Sequence, residues 1–204
     1  MHTVRTLFDL AGGRALPEDE DGPARRVQLM LFAALATVVL AAIYGLAAGS
    51  AQAALAVANL YKLPMILVLS TLSAVPAGLV AHKLSGATWR VTDLMLGLAA
   101  GNLAAALVLA VLAPIVALYY HTSGFLGGVL AMAACGIALV VGLAILARTV
   151  WRRVGREHLG LGLLIPGAVV VTMQLATLVQ LIYVAAPIIP EVTVFDGGLD
   201  RVLR

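Results

Sequence analysis

The chain has 204 residues, of which 62% are hydrophobic and 11% are charged, and its formal net charge is +3. These proportions, with a mean hydropathy of +1.05, exclude a soluble globular domain, and a nucleic acid is not expected as a partner. They indicate an integral membrane protein whose first partner is the lipid bilayer. The expected fold is all-α, a polytopic bundle of five transmembrane helices.

Residues 1–26 form a polar N-terminal segment. Four apolar residues in it recur at helical spacing, which predicts a short amphipathic helix on the cytoplasmic surface, with a disordered tail as the alternative. The four consecutive carboxylates Glu18 to Asp21 follow and predict a solvated linker. A site for a divalent cation or a basic partner is the alternative for this acidic run. The apolar positions of the helix are Val4, Leu7, Phe8 and Ala11.

Five hydrophobic segments reach the roughly 20 residues that a helix needs to cross a bilayer. They predict a membrane domain over residues 27–189, followed by a short outer-face tail over residues 190–204. The sequence leaves open whether residues 51–61 lie at the interface or belong to the second span. The predicted spans are Val27–Gly49, Leu63–Leu84, Leu94–Tyr120, Gly124–Val150 and Gly160–Ile189.

The Lys and Arg residues are distributed unevenly around these spans. Ten of the 13 lie in the N-terminal segment or in the loops after spans two and four, and the other three lie on the opposite side. Because basic residues in short loops stay in the cytoplasm, the N-terminus is expected inside and the C-terminus outside the cell inner membrane of a bacterium. A cleaved signal peptide is the alternative for the first span, but its apolar run is longer than a signal sequence needs.

Groups that could carry chemistry are scarce within the spans. No Asp, Glu, Lys or Arg lies near the middle of a predicted span, and no His, Cys and carboxylate residues have the spacing of a metal site. No catalytic, cofactor-binding or metal site is therefore expected. Lys62 is expected to extend to the headgroups, and His82 and His121 are expected to be hydrated at span ends. Cys135, the single cysteine, is expected to be a packing residue.

Uncharged polar residues do occur inside the spans, and they have two interpretations. Asn102 lies in span three, while Gln174, Thr177 and Gln180 lie in span five. Gln174 and Thr177 share one helix face, and Gln180 is displaced from it by about 120°. Such side chains commonly hydrogen-bond between transmembrane helices. The alternative is a polar path for a neutral solute.

Small residues form patterns that favour close helix packing. The sequence GLAAG occurs at Gly45 to Gly49 and again at Gly97 to Gly101, and each copy is a G-x-x-x-G motif. Such motifs let two helix backbones approach closely, either within the chain or against a partner. Span two adds a continuous small face formed by Ser70, Ala74, Ala77 and Ala81.

Three prolines fall inside the predicted spans. Pro76 removes the hydrogen bond to the carbonyl of Leu72 and pushes its ring toward the preceding turn, so a bend is expected there. Ser73, or a neighbouring helix, could satisfy the freed carbonyl. Pro114 and Pro166 are expected to act in the same way, and bent helices can enclose a crevice.

Two stretches resemble known groups of membrane proteins. The stretch Asn59-Leu60-x-Lys62-x-Pro64, with the aliphatic run up to Pro76, resembles small bacterial polytopic membrane proteins that have no assigned activity. Ala113 to Ser123 extends this resemblance. The FDLAGG stretch at Phe8 to Gly13, with the span count and orientation, is similar to the five-span Yip family. That family implies an association with small GTPases and membrane traffic.

Three functions are compatible with these features. The leading expectation is a non-catalytic subunit or scaffold of a larger membrane assembly, with other membrane subunits or a second copy as partners. The alternative is a transporter or channel component for a neutral or lipid-like solute, and the small-molecule substrate is unknown. An intramembrane enzyme is the third function. It ranks last because the chain lacks the residues of a nucleophilic site.

Overall fold

The structure, a computed structural model, describes residues 2–14, 22–154 and 161–185. These residues contain six α-helices and no strand, which confirms the predicted all-α class. The acidic run Glu18 to Asp21 and the predicted outer tail over residues 190–204 lie outside the described residues. The helices are α1 His2–Ala11, α2 Pro23–Ala47, α3 Ala53–Leu84, α4 Val91–Thr122, α5 Gly124–Val154 and α6 Leu161–Ala185.

Helices α2 to α6 are each long and apolar enough to cross a membrane, so the prediction of a five-span protein is confirmed at this level. Helix α3 begins at Ala53, and residues 53–61 therefore belong to the helix of the second span. Its 32 residues give a length of about 48 Å at 1.5 Å per residue, more than the ~30 Å hydrocarbon core. The predicted limits of the fifth span, Gly160 and Ile189, lie outside the described residues.

The five long helices pack as two pairs joined by α2. Helices α4 and α5 contact each other along most of their length, and so do α3 and α6. Helix α2 packs against both α3 and α4. Because few contacts link α3 to α4 or α5 to α6, a cleft remains between the pairs, and its mouth lies between α5 and α6.

Both GLAAG motifs form contacts within the chain. The first, Gly45 to Gly49, lies so close to α3 that a Cβ atom at either glycine would overlap the backbone of Leu55 to Asn59. In the second motif, a Cβ atom on Gly101 would lie 2.6 Å from the carbonyl oxygen of Gly142 on α5. The two motifs therefore hold α2 against α3 and α4 against α5.

The small face of α3 packs largely inside the bundle. Ser70 and Ala74 are fully buried, Ala81 is buried and Ala77 is half-buried. The neighbouring Gly78 has no room for a Cβ atom because the side chain of Val170 on α6 occupies that space. This face therefore brings α6 close to α3.

A buried ion pair joins the first turns of α2 and α4. The Nη1 atom of Arg26 donates to Oδ1 of Asp93 over 3.0 Å and to Oγ1 of Thr92 over 2.8 Å. Arg26 and Asp93 are only 4% and 6% exposed. This pair marks what we call the basic end of the bundle, to which Lys83, Arg90, Arg148 and Arg152 also belong.

Helix α1 packs against α2 and α4 near the basic end. Leu10 is fully buried there, whereas Val4 and Phe8 are 58% and 60% exposed. The helix ends at Ala11, and Gly13 in the following turn has a positive φ of 66°. The carbonyl of Gly13 accepts a hydrogen bond from Arg152 Nη1 over 3.0 Å. The buried face of α1, with Thr6, Leu10 and Ala11, is therefore turned away from the predicted apolar face, on which Val4 and Phe8 are exposed.

Candidate functional site

A cavity of about 240 Å³ lies in the cleft between the two helix pairs. Helices α3, α4, α5 and α6 all contribute to its wall, which consists mainly of aliphatic side chains and glycines. The polar side chains among the lining residues are Asn102 and Gln174, together with the thiol of Cys135, and none of the lining residues is charged. The site is therefore suited to an uncharged, mostly apolar molecule.

The two amides form a hydrogen-bonded chain across three helices. Gln174 Nε2 on α6 donates to Asn102 Oδ1 on α4 over 2.8 Å, and Asn102 Nδ2 donates to Thr71 Oγ1 on α3 over 2.8 Å. The Thr71 hydroxyl in turn donates to the carbonyl of Leu67 over 2.7 Å. Because the three residues fall in the middle thirds of their helices, this chain lies near the middle of the membrane-spanning region.

The amide pair has hydrogen-bonding capacity beyond these contacts. The bond to Asn102 uses one of the two N–H donors of Gln174, and the bond to Thr71 uses one of the two donors of Asn102. Each amide also has a carbonyl oxygen that can accept two hydrogen bonds. The pair can therefore bind a carbonyl or hydroxyl group that enters the cavity.

A second polar link joins α3 to α6 next to the amide pair. The hydroxyls of Ser73 and Thr177 lie 2.8 Å apart, and Ser73 Oγ also donates to the carbonyl of Ser70 over 2.8 Å. Ser73 thus bonds Ser70 and not the carbonyl of Leu72 that the sequence suggested. Gln180 lies nearly two turns beyond Gln174 on α6, where it is half-buried.

The cavity is closed toward the basic end. Side chains from all four surrounding helices meet there in an apolar cluster, which separates the cavity from that surface. The buried members of the cluster are Ala74, Trp89, Leu94, Leu98, Leu146, Val150 and Val170.

Two residues of the NLYKLP stretch bind the ends of neighbouring helices. Asn59, which is fully buried, donates from Nδ2 to the carbonyl of Ala48 at the end of α2 over 2.8 Å. Lys62 Nζ donates to the carbonyl of Ala185 at the end of α6 over 2.7 Å. An amide and an ammonium are both suited to the carbonyls at helix C-termini. The signal for these roles was the pair of polar residues at i and i+3 beside an apolar run.

The prediction that Lys62 reaches the headgroups is wrong. Its side chain is buried, with 2% exposure. The physical reason is the length of α3, which begins at Ala53 and so places Lys62 nine residues inside the helix. At that position its ammonium reaches the carbonyl of Ala185 at the end of α6.

The prediction that His82 is simply hydrated is also wrong. His82 is 7% exposed, its Nε2 donates to the carbonyl of Trp89 over 3.0 Å, and the two rings meet edge to face at 4.6 Å. The loop after α3 folds back and covers the imidazole. His121 is exposed at the end of α4. Within residues 2–14, 22–154 and 161–185, no three His, Cys, Asp or Glu side chains come together as a metal site.

The three prolines lie within continuous helices. Pro76 in α3 and Pro114 in α4 are on exposed faces, whereas Pro166 in α6 is fully buried. The bends expected at these positions stay predictions.

Searches against protein-family models, curated proteins and solved structures found no match to this chain. The two resemblances noted from the sequence therefore stay expectations.

Proposed function

We propose that the protein is a non-catalytic membrane protein that binds a neutral, lipid-like molecule in the cleft between its two helix pairs. The observation that carries the proposal is the Asn102–Gln174 amide pair on the wall of an uncharged cavity near the middle of the helices. The molecule would enter sideways from the lipid, between α5 and α6. Transport is not needed for this role, because the apolar cluster separates the cavity from the basic end.

The depth of the amide pair supports a neutral ligand. Phospholipid headgroups stay at the surface of a hydrocarbon core about 30 Å thick, roughly 15 Å from its middle, so they do not reach the pair. A carbonyl or hydroxyl on an otherwise apolar molecule does reach this depth. It would gain hydrogen bonds there that hydrocarbon cannot supply.

The size of the cavity also limits the ligand. Engineered cavities of about 150 Å³ accept benzene, and sites for whole drug-sized molecules begin at about 300 Å³. A cavity of about 240 Å³ therefore holds a ring or the polar part of a lipid-like molecule. Its tail would extend through the mouth into the surrounding acyl chains.

Gly136 provides a direct test of the cavity. It lines the cavity, and a Cβ atom added to it meets no atom within 4 Å. Gly136→Phe should therefore fill the space without disturbing the helix. After purification in mild detergent, mass spectrometry of extracted lipids should find a neutral lipid enriched with the parent and reduced at least fivefold with this variant.

Gly128→Phe is the matched control. Gly128 is on the same helix, also has open space around its Cβ position, and is not among the residues that line the cavity. The control should retain as much neutral lipid as the parent. Equal lipid content in both variants would show that the cavity is not the binding site.

A membrane subunit or scaffold is the second candidate function. Its support is the exposed apolar surface beside the cleft mouth, where Ile137 and Val140 of α5 and Val179 of α6 are each more than half exposed. A transmembrane helix of a partner could pack there. A pull-down from native membranes in mild detergent would then recover another chain at fixed stoichiometry, whereas recovery of the protein and lipid alone would rule this role out.

We also propose that the basic end faces the cytoplasm of a bacterial cell, with the C-terminus outside. The support is the distribution of charge, since ten of the 13 Lys and Arg residues belong to the segments at this end. The positive-inside rule predicts orientation from such a bias.

A further inference from the structure

A second apolar cavity lies outside the cleft, on the other side of the bundle. It is a groove of about 430 Å³ between α1, α2 and α4, and its described lining has no charged side chain. Val4, Leu7 and Phe8 of α1 form one wall. The rest of the lining is Phe32, Leu35, Ala36, Val39, Leu40, Leu103 and Leu107.

The groove faces the lipid and not the protein interior. Phe8 is 60% exposed, Leu35 is 62% exposed and Val39 is 51% exposed, while Leu103 at the floor is buried. In a membrane, such a space is filled by an acyl chain, because an empty groove would forfeit the dispersion contacts of its lining. The occupant is therefore part of a lipid molecule.

One face of α2 connects the groove to the basic end. Arg25, Gln28, Phe32, Ala36 and Val39 are spaced at i, i+3, i+7, i+11 and i+14, which places them on one side of a helix. The Nη1 atom of Arg25 donates to Oε1 of Gln28 over 2.8 Å on the exposed surface. A lipid whose chain lies on Phe32 and Val39 would thus have its headgroup near Arg25.

The charge at this end selects among headgroups. Counting the N-terminal segment and the two basic loops with the helix ends that they join, the sequence places ten Lys and Arg residues there against seven Asp and Glu residues, four of which are Glu18 to Asp21. Among the residues that the structure describes at this end, Arg26 pairs with Asp93 and Arg14 pairs with Asp9. The surplus of cations favours an anionic phosphate headgroup, since basic residues close to a membrane surface attract anionic lipids.

We infer that this groove is a binding site for one anionic phospholipid of the leaflet at the basic end, with helix α1 lying over its acyl chain. Phe8 and Val4 contact the chain from one side, and the α2 face contacts it from the other. The guanidinium of Arg25 binds the phosphate, for which its planar N–H donors are suited. This site is separate from the cleft and does not depend on the proposed neutral ligand.

Quenching by brominated lipids tests the inference. The exposed position of Phe8 allows Phe8→Trp, and the emission of this indole is measured against the parent, which contains two tryptophans. In phosphatidylcholine bilayers, brominated phosphatidylglycerol should quench the added indole with at least threefold higher relative affinity than brominated phosphatidylcholine. High salt should reduce this preference, because salt screens exposed charges.

Two matched pairs of variants distinguish binding of the acyl chain from binding of the headgroup. Ala36→Phe should fill the groove and lower quenching by both lipids, whereas Ala34→Phe, on an exposed face of the same helix and not in the lining, should not. Arg25→Gln should lower only the preference for phosphatidylglycerol, whereas Arg90→Gln should leave it unchanged.

Equal quenching by the two lipids in the Phe8→Trp protein, or quenching that Ala36→Phe does not change, would overturn the inference. Ala36→Leu gives the same comparison if the Phe variant does not fold.

Discussion

At the scale of single residues, polar side chains in this protein join helices to one another. Gln174 and Asn102 connect α6 to α4, and Lys62 connects α3 to the end of α6. In hydrocarbon, each such bond replaces an unsatisfied polar group, although measured contributions in membranes average about 0.6 kcal/mol. Their main effect is to fix which helices are neighbours.

The amide pair can be tested by removing one partner. Gln174→Leu keeps the volume but leaves the Asn102 oxygen without its donor, so the free energy of unfolding should fall by about 1 kcal/mol. The double variant with Asn102→Leu should lose less than the sum of the two single variants. Unfolding in mixed micelles measures these values.

Gln180→Leu is the control for this series. Gln180 is on the same helix and half-buried. Gln180→Leu should therefore change the unfolding free energy by less than Gln174→Leu does. If the two variants are equally stable, the bond between Gln174 and Asn102 does not contribute to the fold.

At the scale of helices, glycine positions decide how closely neighbours approach. A Cβ atom on Gly101 would lie 2.6 Å from the Gly142 carbonyl and 3.1 Å from Cβ of Leu146. Gly101→Ala should therefore force α4 and α5 apart and lower the unfolding free energy by about 1–3 kcal/mol.

Gly136→Ala is the matched comparison, because the same change occurs where no atom lies within 4 Å. It should leave stability unchanged or raise it by up to about 1 kcal/mol, the difference in helix propensity between the two residues. A similar loss of stability in both variants would mean that close packing at Gly101 is not the cause.

The sequence predicted where the helices lie better than it predicted which helices pack against one another. Apolar runs between charged breaks are a direct consequence of bilayer thickness, so all five spans could be located. Which helices form pairs depends on side-chain fit between distant segments, and the GLAAG motifs predicted close contact without naming a partner. The contacts between Gly45 and Asn59 and between Gly101 and Gly142 appear only in three dimensions.

The candidate site could be predicted only in part from the sequence. Asn102 and Gln174 could be singled out as polar residues in apolar runs, but the cavity beside them depends on α5, whose lining residues are mostly aliphatic. The ion pair of Arg26 and Asp93 was missed, because both residues read as ordinary charges at span ends. Lys62 was misplaced because the start of α3 was set too late.

At the scale of the whole molecule, the orientation in the membrane can be measured. In a background with Cys135→Ala, a cysteine is placed at the exposed Gln52, between α2 and α3, or at the exposed Thr88, between α3 and α4. An impermeant thiol reagent applied to intact cells should label the protein at Gln52. The position of Thr88 should become labelled only after the membrane is opened, and labelling there in intact cells would reverse the proposed orientation.

We have proposed that the cleft between the α3–α6 and α4–α5 pairs binds a neutral lipid-like molecule. Photo-cross-linking in bilayers tests it most directly, with a diacylglycerol whose acyl chain carries a diazirine and with mapping of the modified residues by mass spectrometry. We expect modification to be concentrated on cavity residues such as Leu139 and Leu178. Excess unlabelled diacylglycerol should compete with it, and Gly136→Phe should prevent it whereas Gly128→Phe should not. Modification spread over the lipid-facing surfaces, without competition and equal in both variants, would contradict it.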